Sequence, residues 1–294
     1  MRTTGPSASA RTPAPVRRAI ADRLRFDRHG PVWLLLSNER TLGCASGEPG
    51  AGVAGLRQDG NMCGRFAMDK ETDDLIREFM AETGGSAPEW TPSWNVAPTD
   101  QVPVIREHHG KRQLEAVRWG IVSPGAPTFG GGKPVINARI ETVATNGLFK
   151  GAFASSRCIV SAAGYYEWQL TENGKQPYFI HHPGTDVAMA GVVRAWADRS
   201  KAPDDPARWR LSMAIITRDA HVAPGEVHDR MPACLTPDTY DDWLGGDLSP
   251  DDALALLDSS SFEVAHDFHY YPVSKAVNSV KNDGPELVAP IELD

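Results

Sequence analysis

Between Val102 and Ile216 the chain repeatedly offers apolar runs too short for a helix and rich in Val, Ile and aromatic residues. This punctuated β pattern limits its fold more than any other feature. Val102–Ile105, Ala116–Trp119, Cys158–Val160, Tyr178–His181, Val187–Val193 and Leu211–Ile216 read as strands, and Phe262–Ala265 reads as a seventh. Asn173-Gly174 falls between Tyr165–Leu170 and Pro177–Ile180, a strong hairpin-turn signal. Helices are fewer. Asp69 to Glu82 places Leu75, Ile76, Phe79 and Met80 on one face, with Asp69 as N-cap and Gly84-Gly85 as stop. Thr236 precedes a helix from Pro237 to about Gly245, and Ser249 precedes one from Pro250 that buries Leu254, Leu256 and Leu257. Many short strands with few helices predict an α+β fold: one domain with a curved, barrel-like mixed β core and peripheral helices.

The composition changes at Met62. Residues 1–61 hold 9 Arg, no Lys and 5 acidic residues, a net +4, with abundant Ala, Pro and Gly and no sustained periodicity. They read as a disordered or non-native extension, compatible with a start site placed too early. The organisation expected is therefore an extension at 1–61, a domain at 62–285 and a C-terminal tail at 286–294. The whole chain carries −8, so residues 62–294 carry −12, which argues against binding duplex DNA through a broad basic face. Any nucleic-acid contact must rest on a local patch.

Val32–Leu36, the longest apolar run near the start, is too short for a membrane span or a signal core. A cytoplasmic protein without a membrane partner is expected. Cys44, Cys63, Cys158 and Cys234 form no CxxC pair, and Cys158 and Cys234 sit in apolar surroundings that suit buried thiols. His266 and His269 lack a nearby cysteine partner, and His108-His109 and His181-His182 border turns, so neither a metal nor a cofactor is expected. No oligomer signal is present, and a monomer is expected.

Four segments concentrate reactive side chains among aromatic and basic neighbours: Met62-Cys63-Gly64-Arg65-Phe66, Asn137-Ala138-Arg139-Ile140-Glu141-Thr142, Gly164-Tyr165-Tyr166-Glu167-Trp168 and His228-Asp229-Arg230-Met231-Pro232. Taken singly, each has a plain structural explanation: a core cysteine, a turn-capping asparagine, a strand glutamate, a loop histidine. Taken together and in this order, they resemble the motif series of the SRAP (SOS response-associated peptidase) family. Trp94-Asn95-Val96-Ala97-Pro98-Thr99, Arg118-Trp119-Gly120, Arg157-Cys158-Ile159 and Pro272-Val273-Ser274-Lys275 extend the resemblance across Met62 to Lys281.

That resemblance implies a protein that binds single-stranded DNA and links covalently to abasic sites during the DNA damage response, working in the cytoplasm and on the nucleoid after damage. It implies Cys63 as nucleophile, with Asn137, Glu167 and His228 completing the active site. The chemistry is consistent with the residue types. An abasic sugar opens to an aldehyde, which condenses with amines. An N-terminal cysteine offers an α-amine, with a pKa of about 7.7–8.0, beside a thiol near about 8.5. The amine forms an imine and the thiol closes a thiazolidine, a step an internal cysteine cannot take. His228 suits proton transfer during sugar opening, Glu167 a proton on the amine or sugar oxygen, and Asn137 the aldehyde or a phosphate. Arg65, Arg139 and Arg230 are expected to pin phosphates. Trp119, Tyr165, Tyr166 and Trp168 are candidates for base stacking, with at least two of the four expected in the core.

This reading needs Cys63 at a free N-terminus, through a start at Met62 or cleavage before Cys63. The rivals are a cysteine peptidase using Cys63, His228 and Asn137, and a non-catalytic single-strand binder using the Arg and aromatic positions alone.

Overall fold

The computed structural model describes residues 64–83, 89–220 and 227–293. The extension at 1–61, Cys44, Cys63 and the Gly84-Gly85 stop lie outside the described residues. In chain order the regular elements begin with β1 (Phe66–Met68), α1 (Thr72–Phe79), β2 (Glu82–Thr83), β3 (Ser93–Val96), β4 (Gln101–His108), β5 (Lys111–Trp119) and β6 (Asn137–Arg139). There follow α2 (Ile140–Val143), α3 (Lys150–Ser155), β7 (Arg157–Ala162), β8 (Gly164–Thr171), β9 (Gly174–His181), β10 (Val187–Ala197) and β11 (Trp209–Asp219). The chain finishes with β12 (Arg230–Pro232), β13 (Cys234–Leu235), α4 (Tyr240–Leu244), α5 (Pro250–His266) and β14 (His269–Pro272).

Five strands close on themselves. β11 pairs with β10, β10 with β7, β7 with β4 and β4 with β5, all antiparallel; β5 then returns to β11 in parallel, with Ser212 opposite Arg118 and Met213 opposite Trp119. The expected α+β fold with a barrel-like mixed core is therefore present. Closure removes the exposed edges that an open sheet of this length would carry. Its lining is apolar: Val102, Val104, Val117, Val160, Val193, Met213 and Ile215 share the inward face and are all at most 1% exposed. The β4–β5 hairpin turns through His109 and Gly110, both at positive φ (53° and 72°), as a two-residue turn requires.

A second, wholly antiparallel sheet runs β14-β9-β8-β1-β3. The predicted hairpin joins β8 to β9, with Thr171 opposite Gly174 at φ +95°. Gly164 opens β8 because a Cβ there would lie 2.5 Å from both the Ile180 carbonyl and the Phe179 ring.

Four expectations need correction. Phe262–Ala265 is the end of α5, not a strand. Ser249 Oγ caps that helix by accepting from the Asp252 N–H at 3.1 Å, and Ala253, Leu257, Ser260, Ser261 and Ala265 recur at helical spacing on its buried face. Four residues, three of them apolar, do not distinguish the two periods. Leu257 is buried there, but Leu254 and Leu256 are only partly so. In α1 the N-cap is Glu71 rather than Asp69, and Met80 is 79% exposed because it takes the left-handed C-cap conformation at φ 48°. The expected tail at 286–294 begins packed, with Leu287 1% exposed, and is tied by its backbone as far as Ile291, whose N–H donates to the Pro272 carbonyl at 2.9 Å while its side chain stays exposed. Among the described residues no helix is long and apolar enough to cross a membrane.

Candidate functional site

The four motifs fold into two pairs. The residues following Cys63 form β1, which pairs with β8: Phe66 lies opposite Tyr165 and Ala67 opposite Gly164, and the Tyr166 N–H donates to the Arg65 carbonyl at 3.0 Å. The first and third motifs are thus neighbouring strands of the second sheet. The Asn137 and His228 motifs flank the C-terminal end of β11. Asn137, Ala138 and Arg139 run parallel to Ile215, Ile216 and Thr217, while Pro232, Met231 and Arg230 run antiparallel to Thr217, Arg218 and Asp219.

Arg230 ties the second pair together. Its Nη1 and Nη2 donate to the two carboxylate oxygens of Glu141 at 2.6 and 3.1 Å, Nη1 also meets Asp219, and Nη2 donates to the Thr217 carbonyl at 2.7 Å. A forked guanidinium suits this two-point grip. The Arg230 side chain is 7% exposed, so it holds two motifs in register and is not available to pin a phosphate; that expectation is corrected.

The two pairs meet through Trp119. Phe66 packs on its indole at 5.0 Å between centroids, and the indole N–H donates at 3.0 Å to the carbonyl of Ile136, the residue before Asn137. Trp119 is 0% exposed, Tyr166 0% and Tyr165 1%, so these three belong to the core and offer no face to a base. The Tyr166 hydroxyl donates to the Trp94 carbonyl at 2.8 Å. Trp168 alone of the four is partly exposed, steadied by its indole N–H to Asn278 Oδ1 at 2.7 Å.

Glu167 is 2% exposed, a rare state for a carboxylate. Alternation along β8 puts it on the same face as Tyr165, which packs in the main core with Phe66 and Trp119; Tyr166 and Trp168 take the other face, against the C-terminal segment. His228 is 8% exposed. In the neutral ring its Nδ1 accepts the Arg230 N–H at 3.1 Å and the proton sits on Nε2; the same Nδ1 lies 3.2 Å from Asp229 Oδ1, a partner for the protonated ring. Burial holds this imidazole below its ordinary pKa; exposed Asp229 opposes the shift, and the charges of Lys175 and Arg230 add to it. Lys175, at the β8–β9 hairpin, is a neighbour that sequence reasoning passed over because a lone lysine carries no signal. Glu141 and Asp219 escaped for the same reason, although Glu141 stands inside a motif.

Arg65 is also engaged by the fold. Its Nη1 donates to Asn95 Oδ1 at 2.7 Å and the Val277 carbonyl at 2.9 Å, and burial lowers its pKa. Buried Asn95 in turn donates to the carbonyls of Ser279 and Asn282 at 3.0 and 2.7 Å. This network anchors the approach to residue 63 and does not present Arg65 as a phosphate clamp. Arg139, by contrast, is exposed beside Asn137. Cys158 and Cys234 are buried with thiols pushed up to about 12, which makes them inert packing groups.

Residues 62–280 match the family model described as SOS response associated peptidase (SRAP). The chain is 34% identical to the abasic site processing protein YoqW of Bacillus subtilis over 230 residues, covering 77% of this chain and 99% of that protein. It is 32% identical to the abasic site processing protein YedK of Escherichia coli, covering 78% and 100%, and 31% identical to the abasic site processing protein HMCES of Xenopus tropicalis, covering 79% of each. Among solved structures, a Bacteroides thetaiotaomicron protein shares the fold with a TM-score of 0.64 at 20% identity, covering 78% of this chain and all of that one.

Proposed function

This chain belongs to the SOS response associated peptidase family, and from that premise we propose that it processes abasic sites in single-stranded DNA by forming a covalent thiazolidine through Cys63. The observation that carries the reading is the convergence of the motifs. Arg230 locks the His228 segment to the Asn137 segment, and Trp119 joins the Asn137 segment to β1, the strand that begins three residues after Cys63.

In this mechanism the Cys63 α-amine attacks the aldehyde carbon of the opened sugar. Loss of water gives an imine, and the thiolate adds to the imine carbon while the nitrogen takes up a proton. His228 donates a hydrogen bond from Nε2–H to the sugar ring oxygen as it opens, and the proton that this oxygen takes up is the one released by the anomeric hydroxyl. A ring held neutral by burial gives this hydrogen bond without bringing a full charge into the site. Glu167 relays a proton at the amine, its burial favouring exchange with a neighbouring group over exchange with bulk water. Asn137 orients the aldehyde oxygen, Arg139 contacts an adjacent phosphate and Trp168 stacks on an unpaired base. The reaction requires a free α-amine, so the active species begins at Cys63; the start of the family match at residue 62 supports that boundary.

The test incubates the chain beginning at Cys63 with single-stranded DNA bearing one abasic site. A cross-link stable to denaturing electrophoresis is expected. It should vanish in Cys63→Ala and when the α-amine is acetylated. Persistence of the cross-link in either case overturns the mechanism, and proteolytic activity that survives acetylation would favour a cysteine peptidase.

A further inference from the structure

Four strand arginines have a carboxylate partner: Arg106 with Glu115, Arg112 with Asp241, Arg218 with Asp258, Arg230 with Glu141 and Asp219. On the outer face of the barrel Arg157 is buried on the Trp243 and Phe153 carbonyls, and Arg118, Arg194 and Arg210 have no carboxylate among the described residues either. Arg118 of β5 and Arg194 of β10 both lie opposite Ser212 of β11, and Arg210 lies one face-repeat away, opposite Trp196. None makes an ion pair with any described residue, in a domain whose net charge is −12. Asp198 feels the charge of Arg210, but its hydrogen bonds go to Ser200.

The cluster is built. Arg118 and Arg210 both sit over the Phe129 ring, at 5.9 and 3.9 Å from its centroid, and Phe129 packs on Trp196 at 5.7 Å. The Arg118 guanidinium is seated between two glycines at positive φ. A Cβ at Gly120 would come within 2.7 Å of Nη1, and one at Gly130 within 3.0–3.1 Å of Nε, the central carbon and Nη2. One donor, Nη1, is fixed on the Gly120 carbonyl at 2.7 Å. Arg194 is fixed by Nη1 to the Leu148 carbonyl at 2.5 Å. Arg118 and Lys133 line a cavity of about 190 Å³ whose other walls include the Gly130–Gly132 loop and the apolar residues Ile121, Val135 and Leu148. Partial burial of Arg118, and after it the proximity of Arg210, lower the Arg118 pKa, so the fold holds this charge in place at a cost. An anion beside Arg118 offsets that cost, and a phosphate suits its forked donors.

We propose that Arg118, Arg210 and Lys133, around the Gly130–Gly132 loop, form a phosphate subsite for the DNA strand, apart from the Asn137–His228 site. This rests on the DNA-binding reading above. Along β11, the register position of Arg118 is three residues and that of Arg210 five residues from the position of Asn137, about 10 and 17 Å at ~3.3 Å per residue. A strand held at the reacting sugar therefore needs further nucleotides to reach the subsite.

The test measures binding of unmodified single-stranded DNA to the full chain by fluorescence anisotropy across a salt series. Arg210→Gln, Arg118→Gln and their double variant are compared, with circular dichroism confirming the fold. Arg210→Gln is the safer variant, since Arg210 is exposed and makes no described hydrogen bond. Each lost phosphate contact flattens the slope of log K against log salt by about 0.7, so the double variant should lose about 1.4 and bind about 25-fold more weakly at 0.1 M salt. The difference should disappear for oligonucleotides too short to span both sites. Unchanged slopes in folded variants overturn the proposal. Loss of pyrophosphate binding without a change in the DNA slope also overturns it, and assigns the cavity to a free phosphate compound. If the slope changes but the same preparation captures no abasic DNA, the subsite stands and the cross-linking mechanism falls.

Discussion

Replacing Glu141 with Gln removes one arm of the grip by which Arg230 holds two motifs together, while leaving the shape of the side chain intact. Two hydrogen bonds to a charged group, at 2.6 and 3.1 Å, would each contribute about 1.5–3 kcal/mol if fully buried. Arg230 is 7% exposed but Glu141 is 46% exposed, so solvent screens much of that energy. Asp219 also remains to hold Nη1. The expected coupling between Glu141→Gln and Arg230→Met in a double-mutant cycle is therefore about 1–2 kcal/mol. For a domain of this size that corresponds to about 3–6 °C in Tm for Glu141→Gln alone. Abasic-DNA cross-linking should slow by more than the loss of folded protein explains, since a displacement of about 1 Å in a reacting constellation costs up to about 100-fold. The assay pairs thermal unfolding with single-turnover cross-linking at a temperature where every variant is folded. A coupling below about 0.5 kcal/mol, or cross-linking at the wild-type rate in Glu141→Gln, would refute the claim that this bridge sets the site. The carboxylate also gives the bridge a pH signature. Burial raises the pKa of Glu141, but the bonds to Arg230 outweigh it and the net shift is downward. Its stabilisation is thus present above the ordinary glutamate pKa and is lost as pH falls through the lower folded value, so the Glu141→Gln difference should shrink in acid.

Trp119→Ala should cost about 3–5 kcal/mol and unfold the domain early, whereas Trp168→Ala should leave Tm within about 2 °C and weaken DNA binding; equal Tm losses would contradict the assignment of Trp119 to the core. The folded His228 pKa lies below its unfolded value near 6.5, so the unfolded chain takes up a proton the folded chain resists. Stability should fall as pH drops below that value, by at most about 1.4 kcal/mol per pH unit from this group, and Tm in His228→Gln should show the shallower pH dependence. Arg139→Gln should weaken single-stranded DNA binding without changing Tm, because the side chain is exposed; a Tm drop above about 3 °C would place it in the fold instead. Gly164→Ala should destabilise strongly, since the added methyl group meets the Ile180 carbonyl at 2.5 Å.

The sequence by itself determined the class of fold and the identity of the motifs. Strands from Val102 to Ile216 were readable because short apolar runs rich in Val and Ile, buried on both faces, end in turn residues such as Asn173-Gly174. The reactive residue types Asn137, Glu167 and His228 were readable because their chemistry stands out locally. Short strands such as β1, β6, β12 and β14 were not, since three or four residues carry no periodicity and their pairing is set by distant partners. Phe262–Ala265 was misassigned for the same reason, and the burial of Leu287 was decided by a cluster with Val277 and with Tyr166 and Phe179 from distant parts of the chain. Only the tertiary structure separated Arg230 and Arg65, occupied inside the fold, from exposed Arg139. It also separated Trp119, Tyr165 and Tyr166, sealed in the core, from partly exposed Trp168. The physical reason is that burial and charge pairing belong to neighbours far apart in the chain: Glu141 lies 89 residues from Arg230. An arginine written inside a motif looks the same whether it meets a carboxylate or water, and the closing of the barrel decides which.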